Sequence, residues 1–283
     1  MDAILDSEIQ EQNVTPPSAR GDASDLTIIW HMGFIKTGTT SAQKMLRKSR
    51  HAVPADMHLF RKQNDTVDLR LTAKAWRKKP TDENRDRVFA AVGAVRDMAL
   101  ENGAQTAVFS DENIVEFDAY NERDNIFTAA ARTLPLIEEA AFPAKSVFVF
   151  YTRQFDKWLA SAYNQSVKML RLTEDFDEYC ANIPFEKNWD VQKDLIQSGL
   201  KSDVVFCDME DDTNSDLPVG SQVLRVAGAP SEALDKLHRP EHRNESLSPE
   251  ALRFMLEVNR SNLATPALRK IRRFVMQNPE SFS

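Results

Sequence analysis

The feature that most restricts the fold is a glycine loop between a short apolar run and a helical pattern. The run "LTIIWHM" (26–32) is rich in β-forming residues and predicts a buried strand. The loop "GFIKTGTT" (33–40) follows, and "TTSAQKMLRKSRH" (39–51) has helical spacing, with Thr39 or Thr40 as N-cap. Glycines allow backbone N–H groups to point inward, and a helix N-terminus adds about half a positive charge. This order predicts a phosphate-binding loop.

The position of the lysine distinguishes this loop from that of an ATPase. An ATPase loop reads G-x-x-x-x-G-K-[ST], with the lysine directly after the last glycine. Here Lys36 lies two residues before Gly38, where its ammonium can reach a bridging or leaving oxygen. Thr39 and Thr40 add hydroxyl donors, and Asp111 is the only candidate for a Mg²⁺-binding aspartate after an apolar strand. The order favours metal-independent transfer from a phosphate ester, while a nucleotide kinase or other NTPase stays open as an alternative.

Strand and helix patterns alternate along the rest of the chain. The further predicted strands are 105–110, 145–153 and 203–209. The predicted helices are 68–80, 82–102, 125–139, 155–171 and 247–261. In the last of these, Ser248 is the expected N-cap and Pro249 the first helical residue. The alternation predicts an α/β, P-loop-like three-layer fold, with a central parallel β-sheet flanked by helices and a helical C-terminal segment. Ligands in such folds gather at the carboxyl ends of the strands, so we expect Gly33, Asp111 and Arg153 around one crevice.

The bulk properties suit one soluble domain. A chain of 283 residues suits a single α/β domain at 26–283, preceded by a polar N-terminal tail (1–25) that we expect to be disordered. The formal net charge of -7 argues against a protein that coats nucleic acid or an anionic membrane. Two cysteines, no signal-peptide pattern and no apolar run of roughly 20 residues favour a cytoplasmic protein. No cysteine and histidine spacing suggests a zinc site.

The glycine loop resembles a known family motif. The sequence "GFIKTGTTSAQ" (33–43) is similar to the 5′-phosphosulfate-binding loop of the sulfotransferases that use 3′-phosphoadenosine 5′-phosphosulfate (PAPS). The usual form of that loop is G-x-x-K-[TS]-G-T-[TS], and His31 and Gln43 match positions typical of bacterial members. The resemblance implies that six residues hold the 5′-phosphosulfate of PAPS: Gly33, Lys36, Thr37, Gly38, Thr39 and Thr40.

A second stretch strengthens the resemblance. Sulfotransferases follow a central strand with an arginine and, eight residues later, a serine, and both hold the nucleotide 3′-phosphate. The stretch "VFVFYTRQFDKWLASAYNQ" (147–165) has Arg153 and Ser161 at this spacing. An arginine at a strand end offers a planar pair of donors that suits a phosphate. The resemblance covers most of the chain after residue 26, but only these two phosphate motifs are specific.

Transfer to a hydroxyl also needs a group that removes a proton. Bacterial relatives commonly have S-x-E or S-S-E after the corresponding strand, so the resemblance implies that Glu112 in "FSDEN" (109–113) is the base. Lys36 would stabilise the leaving phosphate. A partly buried carboxylate with a raised pKa suits the role of a base. The alternative is that Asp111 or Glu112 caps the following turn.

Several other residues are candidates for the site. His31, His51 and His58 are alternative bases, although His31 lies inside an apolar strand and is expected to have a hydrogen-bonded packing role. A late basic loop often closes over the 3′-phosphate in the family, which suggests Arg239, His242 and Arg243 as ligands. Three aromatic residues are expected in the core or at its rim rather than stacked on adenine: Trp158, Tyr163 and Trp189.

The sequence thus predicts a PAPS-dependent sulfotransferase. It would move a sulfuryl group from PAPS to an acceptor hydroxyl or amine by in-line, metal-independent transfer. The acceptor is expected to be a small molecule or a glycan, and the sequence does not specify it further. Besides the NTPase, a nucleotide-binding protein that has lost transfer activity stays open as an alternative.

Overall fold

Five parallel strands form one sheet in the parts of the chain that the computed structural model describes, residues 21–116, 125–240 and 246–282. The strands are β1 (Thr27–His31), β2 (Met57–Leu59), β3 (Thr106–Ser110), β4 (Lys145–Thr152) and β5 (Asp203–Asp208). The helices that precede β5 are α1 (Thr39–Lys48), α2 (Val67–Lys78), α3 (Asp82–Glu101), α4 (Asn113–Glu116), α5 (Ile126–Ala141), α6 (Phe155–Leu170), α7 (Phe176–Asn182) and α8 (Trp189–Gln197). Those that follow it are α9 (Met209–Asn214), α10 (Ser221–Val226), α11 (Ser231–Leu234), α12 (Pro249–Arg260) and α13 (Thr265–Gln277).

The sheet has the order β2-β3-β1-β4-β5, so β1 lies at its centre. β1 pairs in parallel with β3 and β4, and His31 lies opposite Ser110 of β3. Ile28 and Trp30 pack into one apolar cluster and Ile29 into another, which shows that both faces of β1 are covered. This confirms the predicted α/β three-layer fold. Because the strands are parallel, the segments that follow β1, β3 and β4 lie at the same edge of the sheet.

Two local features differ from the expectations. β2 was not predicted, because an edge strand of three residues is too short to show a periodic pattern. Neither Thr39 nor Thr40 caps α1: its N-cap is Gly38, with a positive φ of 84° and no side-chain cap. Glycine adopts this left-handed conformation without a steric penalty. As a result, no capping side chain competes for the first N–H groups of α1.

The C-terminal segment is helical, as predicted, and the predicted N-terminal tail lies mostly outside the described residues. Ser248 caps α12 by accepting a hydrogen bond of 3.1 Å from a backbone N–H, and Pro249 is the first helical residue, as predicted. The C-terminal helices pack on α6 through an apolar cluster that includes Tyr163, Val167, Met255 and Leu268. The predicted tail (1–25) lies mostly outside the described residues, and its last part contains a 3₁₀ turn at Ala23–Asp25.

A buried network attaches β4 to the connection between α9 and α10. The Tyr151 hydroxyl donates a hydrogen bond of 2.6 Å to Asp212 Oδ2 and accepts one of 3.1 Å from the Gln222 N–H. The same Asp212 oxygen accepts a hydrogen bond of 2.9 Å from the Gly220 N–H. Burial and the neighbouring Asp212 raise the pKa of Tyr151, so its hydroxyl stays protonated and donates. The network therefore fixes the α9–α10 connection against the sheet.

Replacing Tyr151 tests how much this network stabilises the fold. Tyr151→Phe is expected to lower the free energy of unfolding by about 1–3 kcal/mol, because the buried Asp212 carboxylate loses a donor. Urea denaturation at neutral pH measures this. Tyr163→Phe is the control, because the Tyr163 hydroxyl donates only to a partly buried backbone carbonyl, that of Glu174, at 3.1 Å. An equal loss of free energy of unfolding in both variants would show that the Asp212 network stabilises the fold no more than a single partly buried hydrogen bond does.

Candidate functional site

The loop between β1 and α1 is held closely against β4. The Tyr151 N–H donates a hydrogen bond of 2.7 Å to the Gly33 carbonyl, and the Phe34 N–H donates one of 3.3 Å to the Tyr151 carbonyl. Thr37 is fully buried and donates from its hydroxyl to the Phe34 carbonyl at 2.6 Å. Lys36 has a positive φ of 62°, which is uncommon for a residue with a Cβ. The shape of the loop is therefore fixed by its own hydrogen bonds and by the neighbouring strand.

Gly38 lies at the point where the loop meets the rest of the protein most closely. A Cβ at this position would lie 2.6 Å from Val219 Cγ1 and 3.3 Å from Met209 Sδ. The positive φ of Gly38 adds backbone strain for any other residue. Thr39, which is buried, and Thr40, which is exposed, begin α1 directly after it. The structure thus brings the predicted glycine and threonines together at the start of this helix.

Arg153 reaches the same loop from the end of β4. Its Nη1 lies 3.5 Å from the Lys36 carbonyl oxygen, a long hydrogen bond. The Trp189 indole N–H donates a hydrogen bond of 2.7 Å to the Arg153 carbonyl and holds its backbone. The Arg153 Nε is buried and has no hydrogen-bond partner in the described part of the chain, and a Glu210 carboxylate oxygen lies 3.9 Å from it. The two side chains form a long ion pair, in which Arg153 Nε and Glu210 Oε2 both lack a hydrogen-bond partner among the described residues. A buried N–H without a hydrogen-bond partner is rare in proteins.

The loop lysine lies in a positively charged environment. Burial lowers the pKa of Lys36, and the cations of Lys168 and Arg153 lower it further. Burial also lowers the pKa of Lys168. Neither lysine forms an ion pair with a residue that the structure describes. The site concentrates positive charge on a chain of net charge -7, so it fits an anion.

Ser161 lies on α6, the helix that contacts the loop through Trp158. Trp158, on the same helix, donates a hydrogen bond of 2.9 Å from its indole N–H to the Ile35 carbonyl. Ser161 follows Trp158 by three residues and is half-exposed. Because residues three apart share a face of a helix, Ser161 lies on the side of α6 that faces the loop. Arg153 contacts the loop directly, and Ser161 lies on the helix face that also carries the Trp158 contact.

Glu112 lies at the end of β3 in a closed group of three side chains. The Lys62 ammonium donates a hydrogen bond of 2.5 Å to Glu112 Oε2. Gln43 Nε2 donates one of 2.6 Å to the same oxygen, and Lys62 donates another of 3.0 Å to Gln43 Oε1. This group connects α1, the segment after β2 and the end of β3 next to the loop.

The expected raised pKa of Glu112 is wrong. Burial does raise the pKa of this carboxyl, but the charge of Lys62 and the hydrogen bonds from Lys62 and Gln43 outweigh burial and hold the pKa below its usual value. Glu112 is therefore ionised at neutral pH, and Lys62 neutralises it.

Asp111 has a structural role. Its side chain is fully buried, and its carboxylate accepts hydrogen bonds from the Thr66 hydroxyl at 2.7 Å and from the Asn113 N–H at 3.1 Å. Arg70 donates to the same carboxylate at 3.3 Å, and Lys62 lies 3.5 Å from it. The alternative that Asp111 caps the turn after β3 is confirmed.

The three histidines lie in different environments. His31 is buried, its Nδ1 lies 2.8 Å from Ser110 Oγ, and burial lowers its pKa to about 4, so it is neutral at pH 7. Its Nε2 has no hydrogen-bond partner among the described residues. The expected hydrogen-bonded packing role therefore holds for only one of the two ring nitrogens, Nδ1. His58 packs edge-on against Phe60, and burial lowers its pKa too. His51 is exposed after α1.

A cavity of about 230 Å³ lies beside the start of α1. It is lined by Ser41, Thr213, Asp216, Leu217, Pro218, Val219, Arg239 and Pro240. Arg239 forms an exposed ion pair of 2.7 Å with Asp216. Because Val219 also packs against Gly38, the cavity adjoins the loop. His242 and Arg243, the other two suggested ligands of the late basic loop, lie outside the described residues.

Two cations at the site were not predicted. Lys62 comes from "FRKQND" (60–65), after the unpredicted β2, and a lysine in a polar stretch gives no signal of its own. Lys168 follows Ser161 by seven residues on α6. That spacing of two helical turns is a signal that would have found it.

Residues 21–116, 125–240 and 246–282 contain neither a helix suited to cross a membrane nor a cluster of metal-ligating side chains. None of the helices in these ranges combines the length and the apolar character that crossing a membrane requires. No group of three or more His, Cys, Asp or Glu side chains in them is arranged to hold a metal ion.

Comparison with known families agrees with this geometry. Residues 28–210 match the family model described as a sulfotransferase domain. The matched range contains both phosphate motifs and the end of β3, and it spans more than half of the chain. No curated protein sequence matches the chain. The chain therefore belongs to the sulfotransferase domain family, whose members transfer sulfuryl groups.

Proposed function

We propose that the protein transfers a sulfuryl group from PAPS to an acceptor hydroxyl or amine, without a metal ion. The observation that supports this most directly is the approach of Arg153 to the Lys36 carbonyl, at 3.5 Å, on a loop whose lysine precedes its second glycine. Lys168 adds a third cation to this environment. Such a set offsets the negative charge of a phosphosulfate, as Mg²⁺ does for the phosphates in NTPases.

The residues at the loop suit both anionic groups of PAPS. The loop and the start of α1 hold the 5′-phosphosulfate through Gly33, Lys36, Thr37, Gly38, Thr39 and Thr40. Arg153 and Ser161 hold the 3′-phosphate, which supplies the acceptor that the buried Arg153 Nε lacks. The absence of a capping side chain on α1 supports the same assignment, because its first N–H groups then bind the anion.

In the transfer step, Lys36 acts on the leaving group and Glu112 acts on the acceptor. The acceptor atom bonds to sulfur while the bond from sulfur to the 5′-phosphate oxygen breaks, and Lys36 offsets the charge that forms on that oxygen. Glu112 takes the proton of the acceptor. Glu112 is ionised, as a base must be, and the acceptor replaces one of the hydrogen bonds that Lys62 and Gln43 now donate to it.

The net charge and the cysteines bear on the acceptor and the compartment. We infer that the acceptor is a small molecule or a glycan, since the acidic net charge of -7 does not suit nucleic acid or an anionic membrane. Both cysteines, Cys180 and Cys207, are free thiols, which supports a cytoplasmic place of action.

Binding of the spent donor tests the proposed function. Isothermal titration with 3′-phosphoadenosine 5′-phosphate (PAP) is expected to show tight binding that is the same with and without Mg²⁺. Arg153→Ala is expected to lower the affinity by about 10- to 100-fold, because charged hydrogen bonds to the 3′-phosphate are lost. Arg171→Ala is a control, since Arg171 follows α6 and donates to backbone carbonyls of Asn259 and Ser261 at the end of α12. Stronger binding of ATP with Mg²⁺ than of PAP would contradict the proposal and favour an NTPase.

A nucleotide-binding protein without transfer activity is the second candidate. The observation that favours it is the neutralisation of Glu112 by Lys62, at 2.5 Å, since a paired carboxylate is a weaker base. Both candidates bind PAP, so they differ only in catalysis.

Replacing Glu112 separates these two candidates. Radiolabelled PAPS and a panel of phenols, alcohols, sugars and amines are used to find an acceptor. With that acceptor, Glu112→Gln is expected to lower the transfer rate by about 10²- to 10⁴-fold and to leave PAP affinity unchanged, because the amide cannot take a proton. His51→Gln and His58→Gln are expected to keep the rate. Transfer at the wild-type rate in Glu112→Gln would exclude Glu112 as the base, and no transfer by the wild type would favour the binding protein.

Replacing Lys62 tests the electrostatics at Glu112. In the native protein the pKa of Glu112 is below its usual value of 4.5, so the pair stabilises the fold above that pH and the stabilisation is lost as the pH falls through the folded pKa. Lys62→Met leaves a buried carboxylate unpaired. We expect a loss of about 3 kcal/mol at pH 7 and a smaller loss near pH 4.

Urea denaturation at both pH values measures the loss in Lys62→Met. Lys48→Met, at an exposed position of α1, is the control and is expected to change stability little. A loss in Lys62→Met that does not depend on pH would show that Lys62 acts only by packing.

A further inference from the structure

Gln43 connects the start of α1 to the end of β3. It lies one helical turn after Thr39 and Thr40, which begin α1 and are proposed to hold the 5′-phosphosulfate. Its Nε2 donates a hydrogen bond of 2.6 Å to Glu112 Oε2. The same nitrogen lies 3.5 Å from the carbonyl oxygen of Ser110, the last residue of β3. One half-buried amide thus joins the helix at the loop to the residue proposed as the base.

The orientation of this amide is determined by the two charges that it contacts. The Lys62 ammonium can only donate, and it donates to Gln43 Oε1 at 3.0 Å. The ionised Glu112 carboxylate can only accept, and it accepts from Gln43 Nε2. Turning the amide over would place its N–H groups against the ammonium and its oxygen against the carboxylate. Gln43 therefore contacts both members of the Lys62–Glu112 pair in the one orientation that suits both charges.

The contacts of Lys62 do not all depend on Glu112. The Lys62 Nζ lies 2.5 Å from Glu112 Oε2, 3.0 Å from Gln43 Oε1 and 3.5 Å from Asp111 Oδ1. An ammonium has three N–H donors, so it can serve each of these oxygens. If an incoming group takes the place of Lys62 at Glu112, the ammonium keeps its contacts with Gln43 and Asp111. The Glu112 carboxylate in turn keeps its hydrogen bond from Gln43.

We propose that Gln43 is a positioning residue, which holds Glu112 and Lys62 in place while the acceptor replaces the hydrogen bond between them. This inference rests on the proposed function. The acceptor hydroxyl or amine donates to Glu112 Oε2 where Lys62 now donates, and its proton moves to that oxygen as the acceptor atom bonds to sulfur. Gln43 gives up no proton in this step and acts only through the two groups that it holds.

A double-mutant cycle tests the positioning role. With the acceptor found in the panel, Gln43→Met is expected to lower kcat/KM for the acceptor by about 10- to 100-fold, because a charged hydrogen bond that positions the base is lost. PAP affinity is expected to stay unchanged. When Glu112 is already replaced by glutamine, Gln43→Met is expected to cause no further loss, because a positioning residue acts only through the group it holds. Gln277→Met is the matched control, because Gln277 is an exposed glutamine at the end of α13.

An NMR titration of the Glu112 carboxyl gives a second measurement, which does not need an acceptor. The hydrogen bond from Gln43 helps to hold the pKa of Glu112 below its usual value, so Gln43→Met is expected to raise this pKa. Gln277→Met is expected to leave it unchanged. The substitution at Gln43 does not alter the charged or titratable side chains that face this carboxyl in the described ranges, which are Lys62, Asp111 with its partner Arg70, and His31.

The other outcomes overturn the inference in different ways. If Gln43→Met costs the same factor with and without Glu112, Gln43 acts directly on a substrate. If Gln43→Met weakens PAP binding, Gln43 belongs to the donor site. If neither the rate nor the pKa of Glu112 changes, Gln43 does not position Glu112. If the wild type transfers nothing, the positioning role fails with the proposed function, and the NMR titration still shows whether Gln43 contacts Glu112.

Discussion

Positive charge concentrated at one edge of a parallel sheet is the constraint on which the site depends. Lys36 is partly buried, has a positive φ and lies near the cations of Lys168 and Arg153. Each of these features is unfavourable for the isolated chain. The arrangement persists because backbone bonds from Tyr151 to the loop and the Thr37 hydroxyl fix the loop independently of the lysine side chain.

Two tryptophan indole N–H groups fix the backbone of the loop and the backbone of Arg153 relative to each other. The Trp158 indole binds the Ile35 carbonyl from α6, and the Trp189 indole binds the Arg153 carbonyl from α8. Their ring centroids lie 5.3 Å apart, so the loop and the arginine are attached to one aromatic cluster. Both are core or rim residues, as the sequence predicted. Their indole N–H groups also position the loop and Arg153, which the sequence pattern did not indicate. Donors fixed before an anion binds need little reorganisation.

The parts of the structure that depend on local sequence were predictable. β1, β3, β4 and β5 follow from apolar runs, and Ser248 with Pro249 follows from capping rules. The approach of Arg153 to Lys36 follows from parallel topology, which brings strand ends together. β2 was not predictable, because its three residues gain their strand conformation from pairing with β3. The pKa of Glu112 was not predictable either, because its direction depends on Lys62, 50 positions away in the sequence.

The strand order determines on which side of Lys36 the donor and the acceptor would bind in the proposed reaction. β1 carries the loop lysine, and its two neighbours end in groups of opposite character: β4 in the partly unsatisfied Arg153, and β3 in the neutralised Glu112. An in-line transfer needs the entering and leaving groups on opposite sides of the sulfur. On the proposed function, the nucleotide lies toward β4 and the acceptor toward β3, with Lys36 between them. An acceptor that approaches from the β3 side must displace a hydrogen bond of the Lys62–Glu112 pair, so the same contact that stabilises Glu112 also limits which acceptors can reach it.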